Sequence, residues 1–316
     1  MTTAEFRGPI RALTSFAHHR DHDMAGFVDL LARHDGTPSV IADSGAFSAF
    51  TMGWEVRAAD YAAWLRQWDQ LFDYALTLDV INDVEASWAS HCETQQLAQR
   101  RLVPVVHYDA PLTVFDRYLA AGHQLIAVGG FALPGRAQPG RRYRRMIEVC
   151  RWAQRTGARL HALGIGDFQQ MWRLPWWSVD SSSWNVAHRY GDTRVFDPER
   201  AAMIVVPRDT AAAHQERTAR LLRSRGVDPR LLAHDFNYHL AAAVSADSYR
   251  RAEHWIRQRR GLVSPPDDPA VNIVGDANGL RVYLALLANT QDPAILCGAT
   301  ATVSRGGMER RWVPVS

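Results

Sequence analysis

From residue 38 onward, short apolar runs alternate with amphipathic stretches of about a dozen residues, and this alternation constrains the fold more than any other feature. A strand followed by a helix returns to pair in parallel with the strand before it, so the pattern predicts repeated β-α units and a parallel sheet. Predicted strands cover Ser39–Asp43, Tyr74–Leu78, Leu102–His107, Gln124–Val128, Arg159–Leu163 and Trp177–Asp180, and "IRALTSFA" (10–17) opens the series. Helices are predicted at 60–72, 86–100, 112–121, 141–156 and 167–173. Seven strands on short connections approach the eight of a closed ring, whereas a doubly wound open sheet usually stops at about five or six. The expected fold class is α/β, a TIM-like (β/α)8 barrel, with no assignment for the eighth strand.

After Asp197 the alternation lapses into helical sequence at 209–225, 228–243 and 246–260. A Pro/Asp-rich break, "SPPDDP" (264–269), and a last apolar segment near 271–288 follow. This predicts a helical insertion at about 198–262, after the seventh strand, within a single domain spanning 1–316. A barrel of about 250 residues with insertions fits that length. The chain shows no run of about 18 uncharged apolar residues, and its opening lacks the basic-then-apolar pattern of a signal peptide. The expectation is a soluble, cytoplasmic protein that makes no membrane contact.

Cys92, Cys150 and Cys297 lie far apart with no CxC or CxxC pair, which predicts neither a disulfide framework nor a cysteine-rich zinc site. Every basic side chain is arginine, and the formal net charge is only +3. The arginines are nevertheless uneven, gathering in 136–159, in Arg217 to Arg230 and in 250–260. A solvated helix face is the ordinary reading of any one such cluster, but together they suit a phosphate backbone as partner.

In barrels the C-terminal ends of the strands carry the chemistry, so what each strand delivers there matters most. The series runs Asp43 in "IADSGAF", Asp79 in "LTLDVIND", His107 in "PVVHYD", Gly129-Gly130 in "IAVGGF", Gly164 in "HALGIG" and Asp180 in "SVDSSSW". Singly, an aspartate after a strand is most often a helix cap or turn former, a histidine is structural, and a glycine pair is a tight turn. Their recurrence at one topological level changes the balance, because independent caps have no reason to include a glycine pair and a histidine.

These segments carry a resemblance. "DSGAFS" looks like the DSGGFQ of tRNA-guanine transglycosylases, and "LDV" resembles that family's second aspartate at a strand end. "VGGF" is similar to its GGL turn, "LHALGIG" to its LMGVG pattern, and "SVDSSSW" to the FDC segment with the nucleophilic aspartate. Order and approximate spacing agree over residues 39–185. Two departures shape the reading. The family's CxCxxC-plus-histidine zinc site is absent, since only Cys297 follows Asp180, and His107 stands where the family has glutamine. The zinc subdomain supports tRNA docking, so the sequence looks more like the short, zinc-less DpdA group of phages and genomic modification islands, which exchange guanine in DNA for a 7-deazaguanine.

What the resemblance implies is a base-exchanging glycosyltransferase that needs no cofactor and no metal, with DNA and a preQ0-type 7-deazaguanine base as substrates. Asp180 would be the nucleophile at C1′ and Asp43 the general acid/base, as in retaining glycosidases. Asp79 suits the donor edge of guanine, Gly129 and Gly130 its O6, and His107 its Hoogsteen edge or the 7-substituent. Phe47 and Leu163 occupy the family's stacking positions. Candidate phosphate contacts are Arg141, Arg142, Arg144 and Arg145 and the basic helices of 217–260, while Trp176, Trp177 and Trp184 flank Asp180. Other readings are the same chemistry on tRNA, a non-catalytic nucleic-acid-binding partner subunit, and an unrelated barrel hydrolase of nucleosides or sugars. Whether two copies pair as a homodimer is left open.

Overall fold

The structure, a computed structural model, describes residues 11–32, 39–131, 139–185, 190–208, 211–233, 236–260 and 271–274. In chain order the first half runs β1 (Arg11–Ser15), α1 (Phe16–His19), α2 (Met24–Ala32), β2 (Ser39–Asp43), α3 (Ala46–Met52), α4 (Ala58–Gln67), β3 (Tyr74–Ala75), α5 (Val84–Ala98), β4 (Val105–His107) and α6 (Leu112–Ala120). The second half runs β5 (Leu125–Gly129), α7 (Pro139–Thr156), β6 (Arg159–Ala162), α8 (Phe168–Arg173), β7 (Ser178–Ser181), β8 (Asp192–Asp197), β9 (Ala202–Pro207), α9 (Glu216–Arg223), α10 (Tyr238–Arg259) and β10 (Val271–Val274).

Eight of the strands make one sheet in the order β3-β2-β1-β10-β7-β6-β5-β4, and every pairing in it is parallel. The two end strands are themselves linked. Leu76 and Val103 form a parallel bridge, with the Thr77 N–H donating to Val103 O at 2.9 Å and the Val103 N–H to Ala75 O at 2.8 Å. Both faces of the sheet are buried, which is why its strands read as continuous apolar runs. Leu13, Ile41, Leu76, Val103, Val105 and Ala127 form a small cluster of their own. Their strand neighbours, among them Ala12, Val40, Ala42, Val106, Ile126 and Val128, point the other way into the large core beneath the helices.

Side-chain caps mark several helix starts. Asp83 accepts from the Ala86 N–H at 2.9 Å, Asp167 from Gln170 at 2.8 Å and Asn237 from Leu240 at 2.9 Å, each satisfying an orphan donor of the first turn.

The mixed α/β class and the predicted strands stand, with β2 matching residue for residue. The stretch after β7 needs correction. It is not helical throughout, because β8 and β9 form an antiparallel hairpin over 192–207. Nor do 228–243 and 246–260 form two helices, since α10 is continuous from Tyr238 to Arg259. Ser245 does not interrupt it, because its hydroxyl donates to Ala241 O at 2.8 Å within the helix and accepts the Arg194 N–H of the hairpin at 2.9 Å. The eighth strand of the large sheet is β10, seated between β1 and β7. The predicted break at 264–269, the remainder of the apolar segment at 275–288, and Cys297 lie outside the described residues. Among the described residues no helix is long and apolar enough to cross a membrane.

Candidate active site at the strand ends

Strand register puts four of the predicted residues, His107, Gly129, Leu163 and Asp180, on one level. His107 pairs with Gly129, Val128 with Ala162, Ala162 with Val179, and Asn272 with Asp180. One residue past each of those pairs, Gly129, Leu163 and Asp180 fall side by side on β5, β6 and β7. Across the sheet, β2 delivers Asp43, and Asp79 follows the bridge at Leu76.

Asp43 sits in a tight Asp-Ser-Gly turn, its carboxylate accepting the Gly45 N–H at 2.9 Å. Gly45 has φ +78°, and a Cβ there would lie 2.4 Å from both Ala17 Cβ and Ser15 Oγ, so only glycine lets the β1–α1 elbow close onto this turn. Burial pushes the Asp43 carboxyl up to about 7, the negative charges of Asp79 and Asp180 add to the rise, and the N–H groups of Gly45 and Ser44 oppose it. Three carboxylates from β2, β7 and the segment after β3 therefore share one electrostatic environment.

Asp180 is 7% exposed. Its Oδ1 accepts the Gly164 N–H at 3.0 Å and lies 3.4 Å from His161 Nε2. The other ring nitrogen of His161 meets Ser178 Oγ at 2.7 Å. His161 is a site residue that the sequence reading missed. The available signal was a histidine inside an otherwise apolar strand, where an unpartnered polar side chain is expensive.

His107 does not present Nε2 to the centre as a base contact, because that nitrogen is 3.0 Å from Asp79 Oδ2. It orients the Asp79 carboxylate, which accepts no other side-chain hydrogen bond among the described residues. Gly130, at φ +86°, lets the chain pass so close that a Cβ would stand 3.3 Å from His107 Cβ and Cγ. At Gly129 a Cβ would meet Leu163 Cδ1 at 3.4 Å. Leu163 is half-buried on the small inner cluster. Phe47 is exposed on α3, followed along that helix and its end by exposed Phe50, Met52 and Trp54.

A second missed group lies beside Asp180. Tyr249, from the middle of α10, donates to Gly166 O at 2.9 Å and also bonds the hydroxyls of Ser183 and Ser181; burial raises its pKa. The long helix is thereby tied to the turn after β6 and to the end of β7.

The arginine assignments divide. Arg142 donates to Phe131 O at 2.9 Å, and Arg145 donates to Tyr108 O at 3.0 Å and to Ala110 O while pairing with Glu148 at 2.7 Å. Both are half-buried and brace the loops after β4 and β5, so their guanidinium groups are already engaged by backbone oxygens. Arg141 and Arg144 are exposed. In the 217–260 region, Arg217 pairs with Asp197 and Glu199, while Arg225 is buried on Ser248 Oγ and Phe196 O, both at 2.7 Å. Trp176 and Trp184 are buried packing residues, and Trp177 packs edge-on to Tyr74 at 5.6 Å. Among the described residues no three His, Cys, Asp or Glu side chains gather as a metal-binding group. An open hollow of about 550 Å³ lies elsewhere, lined by His214, Arg223 and residues 226–230, and none of Asp43, Asp79 and Asp180 lines it.

Comparison with protein-family models, with curated proteins and with solved structures returned no match. The functional reading therefore rests on the site itself: a carboxyl group pushed up to about 7, a second carboxylate held by a backbone N–H with a histidine 3.4 Å away, and a third hydrogen-bonded to another histidine.

Proposed function

We propose that the chain is a DNA-guanine transglycosylase that exchanges guanine for a preQ0-type 7-deazaguanine through a covalent aspartyl-glycosyl intermediate. The observation that carries this reading is the charge coupling of Asp43 to Asp79 and Asp180. A carboxyl group able to give up a proton, beside a second carboxylate able to attack, is what a retaining displacement at a glycosidic carbon requires.

In the first half-reaction Asp180 attacks C1′, the bond from C1′ to the base breaks, and protonated Asp43 gives its proton to the departing guanine. In the second, ionised Asp43 takes the proton from N9 of the deazaguanine, that nitrogen attacks C1′, and Asp180 leaves. Two inversions give retention. Asp79 accepts from N1–H and the exocyclic amine of the base, with His107 holding it in place. The glycine pair admits the base edge because no Cβ intervenes at either position. A base inside a duplex has to be extruded to reach such a site, at about a few kcal/mol.

The fold reading belongs here too. A (β/α)8 barrel is supported by the eight parallel strands, the Leu76–Val103 bridge between the end strands, and the separate small core on one face. A DNA substrate places the enzyme in the cytoplasm, that of the host where a phage encodes it.

The test is nucleoside mass spectrometry after incubation with isotopically labelled preQ0 and either DNA or tRNA, beside Asp180→Ala. Label in DNA that disappears in Asp180→Ala supports the reading. Label in tRNA alone transfers the chemistry to tRNA, free guanine released without insertion makes the protein a hydrolase, and no change in either nucleic acid overturns the proposal.

A further inference from the structure

Helix α7 carries two sets of arginines with opposite surroundings. Arg142 and Arg145 face inward and hold the backbone that follows His107 and Gly129-Gly130. Arg141, Arg144, Arg151 and Arg155 are exposed and make no hydrogen bond, ion pair or ring contact among the described residues. At 3.6 residues per turn these four fall within an arc of about 80°, in a line about 21 Å long. Glu148 shares that side of the helix but is paired with Arg145 at 2.7 Å.

Some arginines elsewhere are matched by carboxylates, Arg57 by Asp60 at 2.7 Å and Arg230 by Asp228 at 3.1 Å, and the other exposed pair without a carboxylate, Arg220 and Arg223 on α9, is only two residues strong. Four unmatched guanidinium groups in a row repel one another, and a regularly spaced polyanion relieves that repulsion. They lie along a line and do not converge on a point, as binding of a small anion would require. A nucleic-acid strand, with a phosphate about every 3.4 Å along a duplex, supplies charges over the whole line. The line also begins in the right place, because the first turn of α7 is fastened by Arg142 and Arg145 to the loops that bear the candidate site.

We propose that the outward face of α7 is a track for the phosphodiester backbone, leading DNA to the strand ends. The proposal rests on the reading of those strand ends as a nucleobase-exchange site, and its test separates the two. Binding of a fluorescent duplex of about 20 base pairs is measured between about 50 and 200 mM NaCl for the native chain and for the variant carrying Arg141→Gln, Arg144→Gln, Arg151→Gln and Arg155→Gln. Because all four side chains are exposed, the variant is expected to melt at the native temperature, which is checked first. The slope of log K against log salt should be shallower in the variant by about 3 to 4, so that across this range the native chain loses about a hundredfold more affinity than the variant. Arg57→Gln, on α4, should leave the slope unchanged.

A variant with the native slope, or an equal loss in Arg57→Gln, overturns the track. A native chain that binds with the steep slope yet exchanges no base keeps the track and removes the enzymatic reading. Base exchange by a variant whose slope is unaltered does the reverse.

Discussion

His161 Nε2 lies 3.4 Å from Asp180 Oδ1 while its Nδ1 meets Ser178 Oγ at 2.7 Å, so one buried ring bridges two positions of the neighbouring strand. With Ser178 on one side of the imidazole, the other side is aimed at the carboxylate. His161→Leu should lower the rate of covalent adduct formation at Asp180 by about tenfold, because it removes the imidazole that stands 3.4 Å from Oδ1. His161→Gln, which keeps an N–H at a similar reach, should recover most of it. Equal rates in the leucine variant and the native chain would remove His161 from the site.

Asp43 titrates near 7 in the folded state against 3.8 for an ordinary aspartate, and this carries two signs. The folded chain binds more protons than the unfolded one between those values, so this group's contribution to stability falls as pH rises from about 4 to about 7 and stays low above it. Asp43→Asn should therefore raise the melting temperature at pH 8, by on the order of a few kcal/mol in stability, and leave it unchanged near pH 3. For activity the same substitution is harmful, because the amide has no acidic proton to give. The acid step should fall with pH above about 7, and a flat rate profile across that value would show that Asp43 is not the proton donor.

Asp79→Asn tests the coupling itself. Asp79 raises the Asp43 pKa, so its neutralisation should shift the alkaline limb of the rate profile toward lower pH. Loss of the acceptor facing the base should also cut kcat/KM for guanine exchange by about ten- to hundredfold. An unmoved limb would mean that the two carboxylates do not sense each other.

Gly45→Ala and Gly53→Ala form a matched pair. Both glycines have positive φ, +78° and +68°, but a Cβ at Gly53 meets nothing within 4 Å whereas one at Gly45 meets two atoms at 2.4 Å. Gly53→Ala should cost about 1 kcal/mol and Gly45→Ala about 3 kcal/mol or more in urea unfolding. Equal costs would show that the β1–α1 elbow is not packed on the turn.

The strand ends were legible because the strands read as apolar runs that are followed, at the end or within a few residues, by an aspartate, a histidine or a glycine. Asp43, Asp79, His107, Gly129 and Asp180 could be read off that edge without knowing which strands are neighbours. The His161–Asp180 contact was not legible, because it depends on the register of β6 against β7, which neither segment encodes locally. The inward turn of Arg142 and Arg145 was available from helical spacing but was lost when the cluster was treated as one patch. The hairpin at 192–207 escaped because Asp197-Pro198 looks like the end of a regular element, yet it forms the turn between two strands. In α10, alanines at 241–243 and 246 suit close packing against that hairpin, a tertiary reason for a helix that local propensity divides in two.

Strand β10 is the last described element in the chain, and it occupies the middle of the sheet between β1 and β7. Before residues 271–274 leave the ribosome, β1 and β7 both present bare edges, and among the described strands the half that carries Asp43 is joined in the sheet to the half that carries Asp180 through the Leu76–Val103 bridge. The nascent chain therefore cannot complete its reactive centre strand by strand as it is made. Assembly waits for a keystone, and the carboxylate cluster forms late and all at once.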